Sequence, residues 1–186
     1  MRADARSNRR DIVEAAWRLF AAQGPEASLR AVAQEAGVAI ATLYRHYPSR
    51  DDLILGVIDE IQSRVREIVA RHDAQWADDP WAAWSGIVHD IADLQVGTLL
   101  QQVAPGASSS EGLVQGGAER RMRALRIMTP VVRRAKAAGV LAKGVRIMQV
   151  FLGLAVITRP LPRGLEGQLP GQRDWVVDVY LKGLRP

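Results

Sequence analysis

The chain reads as an all-α protein: an N-terminal three-helix domain containing a helix-turn-helix, then a C-terminal helical bundle. Three observations predict this. Apolar residues recur at helical spacing in one segment after another. The segments are separated by the Gly, Pro, Ser and Asp positions that stop or cap helices. Near the N-terminus, two short periodic segments are joined by a tight glycine turn, the arrangement of a helix-turn-helix.

In the first helix, Ile12, Ala15, Ala16, Leu19 and Phe20 share one face, and Gln23-Gly24-Pro25 ends it. Glycine accepts a left-handed cap and proline cannot continue a helix. Ser28 offers an N-cap oxygen to a second helix, whose buried stripe is Leu29, Val32, Ala33 and Ala36. Gly37 stops that helix, Val38 plugs the turn, and a third helix runs from about Ile40 to Tyr47. Ala33 is small because the third helix crosses the second there. Leu43 points back into the core, which turns Ala41, Thr42, Tyr44 and Arg45 outward. Pro48 then blocks continuation, and Ser49 with Asp52 three residues later predicts a capping box for a fourth helix.

The fourth helix is expected from Arg50 to about His72, with Leu53, Ile54, Val57, Ile61, Val65 and Ile68 inside. A break follows over 76–80. A fifth helix starts near Pro80 and continues to about Gln102 through Trp81, Trp84, Val88, Ile91 and Leu94. Residues 104–117 hold four Gly, three Ser and one Pro and predict a loop or broken helix. A helix over about 118–138, kinked at Thr129-Pro130, ends at Gly139. An apolar segment at 144–158, a Pro/Gly-rich connection at 159–171 and a last helix over about 172–184 complete the chain.

Length and composition suit one small DNA-binding module plus a helical core, divided here as 1–48 and 49–186. Of the 186 residues, 48% are apolar, enough to bury a core. The absence of cysteine excludes disulfides, thiolate metal sites and thiol switches. No secretory signal or membrane span is read, so a cytoplasmic location is expected. The net charge of +5 suits a polyanionic partner. Residues 1–50 hold eight Arg and five Asp/Glu, 8 − 5 = +3, with Arg2, Arg6, Arg9 and Arg10 ahead of the first apolar face. This basic arm either lies on DNA phosphates or is a frayed, solvated terminus. Nine Lys/Arg without an acid between Arg120 and Arg146 make either a solvated helix face or an attractor for an anion.

GVAIATLYRHYPSRDDL resembles the signature of the tetracycline-repressor (TetR) family of bacterial transcriptional regulators. The preceding IVEAAWRLFAAQG and LRAVAQEAGV match that family's first two helices. The resemblance covers roughly residues 8–58, and RAKAAGVL (134–141) and LKGLRP (181–186) also look like stretches common in these proteins. It implies a homodimer whose C-terminal bundle binds a small effector and dimerises, released from an inverted repeat in double-stranded DNA. No cofactor is implied. Thr42, Tyr44 and His46 fall where family members touch phosphate or neighbouring bases, and Arg50 where a basic residue meets a phosphate. Base reading is expected from Arg30, Ile40, Ala41 and Arg45, with Ile40 either on a thymine methyl or buried against the turn. Ala39 departs from the cap former common at that position and removes an N-cap oxygen.

The resemblance also places an effector pocket, for a mainly apolar ligand, between the fourth, fifth and later helices. Trp84, Ile91, Gln95, Met122 and Phe151 are candidate lining residues, with plain core packing as the alternative. Ile147, Val150, Phe151, Leu154 and Ile157, then Trp175, Val176 and Val179, line the last two helices. They either form the dimer surface or close the monomer core. Three other readings compete: an activator, a DNA-binding dimer without an effector, and a metal-dependent hydrolase built on His72-Asp73 and His89-Asp90 with Asp93. The last of these is weighed against a solvated helix face.

Overall fold

A computed structural model of the chain describes residues 2–97, 99, 110–159 and 170–186, with the side chains described from residue 8 onward. Among these residues the regular structure is entirely helical: α1 (Arg2–Gln23), α2 (Leu29–Glu35), α3 (Ile40–His46), α4 (Arg50–Arg71), a 3-10 turn (Ala74–Trp76), α5 (Pro80–Asp93), α6 (Glu111–Ala137), α7 (Ile147–Ile157) and α8 (Gln172–Gly183). None of these helices is long and apolar enough to cross a membrane. The chain forms two compact units, Met1–Ile61 with Thr98–Arg120, and Gln62–Gly97 with Arg121–Pro186.

The first unit is built around a fully buried set, Ile12, Ala15, Ala16 and Phe20 of α1, Val32 of α2, Leu43 of α3 and Leu53 and Val57 of α4. α1 begins at Arg2, so the stretch read as a basic arm is the start of that helix. It is rich in Ala and Arg and free of Gly and Pro, and such a sequence propagates a helix. Gly24, at φ +87, ends α1 as expected. The expected cap at Ser28 is absent: the residue occupies the N-cap position of α2 without a side-chain bond. The capping box of α4 is present. Ser49 N donates to Asp52 Oδ2 and Asp52 N to Ser49 Oγ, both at 3.1 Å.

α6 starts at Glu111, so the second half of the expected loop is helical, while 104–109 lie outside the described residues. Gly in a helix costs about 1 kcal/mol against Ala, and close packing explains its use at Gly116. A Cβ there would stand 2.6 Å from Leu55 Cδ1 of α4. Arg120, one turn further, donates from Nε to Leu55 O at 3.1 Å and pairs with Asp59. Pro130 lies inside α6 without ending it, and Thr129 Oγ1 donates to Leu125 O at 2.7 Å.

The second unit centres on α5, whose Ala83, Trp84, Ile87 and Val88 are fully buried among Val131, Val132, Ala135, Leu141, Val150, Leu154, Val177 and Leu181. Asp79 Oδ1 caps α5 by accepting from Ala82 N at 2.9 Å, with Pro80 in its first turn. α5 ends at Asp93 and not near residue 102, because Gln95 turns the backbone into the left-handed region at φ +51. The Gln95 amide, oriented with its oxygen toward Arg173, accepts from that guanidinium at 3.2 Å. α7 and α8 pack together at Gly153, where a Cβ would overlap the Tyr180 ring. Burial pushes the Tyr180 hydroxyl pKa up to about 12, so it stays protonated and donates to Val150 O at 3.1 Å.

Gly153→Ala is therefore expected to destabilise the protein by about 1–3 kcal/mol through overpacking. Gly144→Ala, at a glycine with nothing within 4 Å of a new methyl, should be neutral or slightly stabilising. Thermal melting of the two variants decides this, and equal melting temperatures would contradict the close approach at Gly153.

Candidate nucleic-acid interface

The turn between α2 and α3 is set by backbone bonds. Gly37 sits at φ +67, Ala36 N donates to Val32 O at 2.9 Å, and Val38 N reaches back to Ala33 O at 3.0 Å. α3 begins without side-chain help: Ala39 has no cap bond to give, and its carbonyl accepts from Thr42 N at 2.8 Å and Leu43 N at 3.2 Å. α3 is held instead by burial. Leu43 is fully enclosed and Tyr47 nearly so. With Leu43 inward, Ala41, Tyr44 and Arg45 are exposed, while Ile40, Thr42 and His46 are half-buried.

Arg30 is exposed in the first turn of α2. It borders a groove of about 430 Å³ with Ser28, Leu29, Ile40, Tyr44 and Arg50. The fold thus gathers four of the sequence-predicted DNA residues, Arg30, Ile40, Tyr44 and Arg50, around one depression. Ala41 and Arg45 present themselves beside it on the exposed side of α3. Arg50 is engaged within the protein: Nη1 donates to Pro25 O and Ala27 O.

His46 is placed differently. Its Nε2 is buried with no hydrogen-bond partner among the described residues, and the ring lines a separate cleft of about 240 Å³ with Arg9, Tyr47, Gly56, Asp59 and Arg120. Arg9 lies over the Tyr47 ring, 5.5 Å from its centroid, and donates from Nε to the phenolic oxygen at 3.1 Å. The bond to Tyr47 raises the Arg9 pKa above its ordinary value, so the guanidinium is charged at every accessible pH. Gly56 is the floor of this contact. A Cβ there would stand 2.6 Å from Tyr47 Cε1. The Arg9–Tyr47 and Arg120–Asp59 pairs were not legible beforehand, since they join residues 38 and 61 positions apart.

The candidate effector residues differ in their surroundings. Trp84 and Ile91 are core residues, Phe151 is half-buried against the same core, and Gln95 is tied to Arg173. Met122 is 54% exposed. Trp84 keeps one notable property: its Nε1 is buried without a hydrogen-bond partner among the described residues.

The candidate dimer residues divide in the same way. Leu154, 4% exposed, belongs to the monomer core, as does Val150. The outward apolar stripe of α7 is Met148, Leu152 and Val156, 49%, 62% and 64% exposed and spaced four residues apart. On α8, Trp175 and Val179 are 60% and 48% exposed, and Val176 is half-buried.

The two histidine pairs proposed for hydrolysis are structural. His72 bridges Gln75 and Asp90 at 3.0 Å each, and His89 bonds Asp178 at 3.0 Å, while Asp93 lies beside Arg173. Among the described residues no group of three His, Cys, Asp or Glu side chains is placed to hold a metal ion.

Residues 12–57 match the family model for bacterial regulatory proteins of the tetR family. An HTH-type transcriptional regulator of Staphylococcus aureus is 40% identical over 80 residues, 42% of this chain, and that match spans only 41% of the relative's length. Over nearly the whole length, a TetR transcriptional regulator from Streptomyces coelicolor superposes with a TM-score of 0.63 at 28% identity, covering 96% of this chain and 98% of its own. A TetR transcription regulatory protein from Mycobacterium vanbaalenii gives 0.61 at 26% identity, covering 100% and 99%. The TetR-like regulator LfrR from Mycobacterium smegmatis, solved in complex with proflavine, shares the fold at 0.61 and 20% identity, covering 95% and 94%.

If Tyr47 anchors α3 through Gly56, Gly56→Ala should lower stability by about 1–3 kcal/mol and weaken DNA binding together with it. Retention of both melting temperature and affinity would show that the ring can move aside without consequence.

Proposed function

We propose that the chain is a DNA-binding transcriptional regulator of the tetR family and that it acts as a homodimeric repressor. It occupies an inverted-repeat operator and is released by a small, mainly apolar effector, as a cytoplasmic protein. The observation that carries this reading is the division of α3 into a buried side, Leu43, and an exposed side, Ala41, Tyr44 and Arg45, next to an exposed Arg30. A helix presented in this way fits the major groove. Arg30 and Arg45 are the guanine readers, since a guanidinium forks onto O6 and N7. Ile40 and Ala41 meet a thymine methyl. Tyr44 and Thr42 donate hydroxyls to phosphate. His46 joins them only from the edge, its Nε2 being turned into the protein.

Two features support the dimer. One short helix reads few base pairs, whereas a two-fold dimer places two of them about 34–36 Å apart in successive major grooves. The exposed row Met148, Leu152, Val156, Trp175 and Val179 is the kind of apolar patch that a symmetric interface covers. The effector reading is supported by the unpaired Trp84 Nε1, a donor for an acceptor atom on an otherwise apolar ligand. It is also supported by a regulator of the same fold that holds proflavine. Release follows if the effector favours a geometry in which α4, which runs from Arg50 to Arg71, carries the two reading helices out of step with the half-sites. A coupling of about 1–3 kcal/mol changes affinity by about 5–150-fold.

Selection of bound duplexes from a randomised library, at fixed salt, should enrich an inverted repeat. Enrichment of a single half-site or of nothing would refute the dimeric reading. Tyr44→Ala should weaken every DNA sequence alike, whereas Arg30→Ala should cost the selected site about 1–3 kcal/mol more than random DNA and relax base choice at one position. Leu152→Glu should leave the fold intact by circular dichroism and convert the dimer to a monomer in sedimentation. A dimer that survives this charge would move the interface elsewhere.

A further inference from the structure

Arg50 opens α4, where the resemblance expects a cation to meet a DNA phosphate. Its side chain is occupied otherwise. Nη1 donates to Pro25 O at 2.5 Å and to Ala27 O at 2.8 Å, in a part-buried position. Both carbonyls belong to the connection between α1 and α2, which opens at Gly24 with φ +87 and is closed by a bond from Ala27 N to Gly24 O at 3.1 Å. The connection feeds into Ser28, the N-cap residue that makes no side-chain bond. The entry to α2 therefore has no local cap, and Arg50 reaches it from more than twenty positions along the chain. Two residues past Ser28 stands Arg30, on the rim of the groove that Arg50, Ile40 and Tyr44 also line.

We propose that Arg50 is a specificity-determining positioning residue: by holding the Pro25 and Ala27 carbonyls it fixes the angle at which α2 presents Arg30 to a base edge, and it does not neutralise a phosphate. Hydrogen bonds from an ionised donor are about twice as strong as neutral ones. Both Arg50 bonds are made by Nη1, so drawing that nitrogen away to the DNA backbone would break them. The carbonyls, in turn, would lose their bonds to α4. This assignment rests on the DNA-reading role given to Arg30 above.

Arg50→Met keeps the length of the side chain and removes its donors and charge. Its binding is measured against salt concentration on a random duplex and on the duplex enriched by the wild-type protein. The expected result is an unchanged salt slope on both duplexes and a loss of discrimination between them of about tenfold. In an Arg30→Ala background the same substitution should cost little further discrimination, since Arg50 acts through Arg30. A slope reduced by about one unit, with equal loss on both duplexes, is the signature of a lost phosphate contact and overturns the assignment. Additive losses in the double variant overturn it as well. A general loss of stability would lower the active fraction for both duplexes and leave discrimination untouched, which also counts against it. A second measurement needs no variant of Arg50. The Nη protons of Arg50 in wild-type protein should be protected from hydrogen exchange without DNA and remain so when either duplex is added. Loss of that protection on binding would show the guanidinium leaving for the backbone. If no duplex is enriched, the dimeric-repressor reading fails, while the slope on random DNA and the proton protection still decide the role of Arg50.

Discussion

The whole DNA-reading surface depends on how a seven-residue helix is held. A helix as short as α3 has no stability of its own in water, because nucleation costs more than so few hydrogen bonds return. Ala39 adds no cap at its start. α3 persists because Leu43 is fully buried and because Tyr47, just past its end, is pinned between Arg9 above and Gly56 below. Burial of one leucine and one tyrosine contributes roughly 1.5–3 kcal/mol each, which outweighs a missing cap of about 1 kcal/mol. Every exposed contact on α3 takes its direction from those two inward residues.

The polar contacts in this unit share a logic: charged groups are used as struts. Arg50 supports the turn before α2, Arg9 covers Tyr47, and Arg120 fastens α6 to α4 through Leu55 O and Asp59. Exposed ion pairs are worth little in general. These three are part-buried, and each has at least one oxygen of the protein interior as its partner. Their contribution is geometry more than stability, since each ties together elements that the hydrophobic effect alone would let slide. The basic character of the N-terminal half therefore divides into cations engaged within the protein and cations left exposed, Arg30 and Arg45 among the latter.

In the second unit the distribution of apolar residues carries the functional information. α7 is apolar nearly all the way round, so it has two faces with different fates. Val150 and Leu154 fill the core against α5 and α8, while Met148, Leu152 and Val156 are left in solvent. The stripe picked out by periodicity was the inner one, because periodicity measures how regularly apolar residues recur and not which face finds a neighbour. The same limit applies to Met122, which is exposed, and to Gln95, whose amide faces Arg173. Both depend on partners far along the chain.

Local chemistry sufficed for a good deal. Glycine at Gly24, Gly37 and Gly139, each at positive φ, proline at Pro80 and the Ser49–Asp52 box are signals that act within four residues, and the helices they bound were readable in order. The inward turn of Leu43, and with it the outward turn of Tyr44 and Arg45, followed from helical spacing alone. By itself, then, the sequence determined the helix-turn-helix and the all-α class, because these rest on short-range backbone preferences and on burial periodicity. Tertiary structure decided that glycines at 112, 116 and 117 are helical, and that Arg50 and His46 turn inward. Each of these outcomes depends on which distant groups come within bonding or packing distance, and that is a property of the assembled fold.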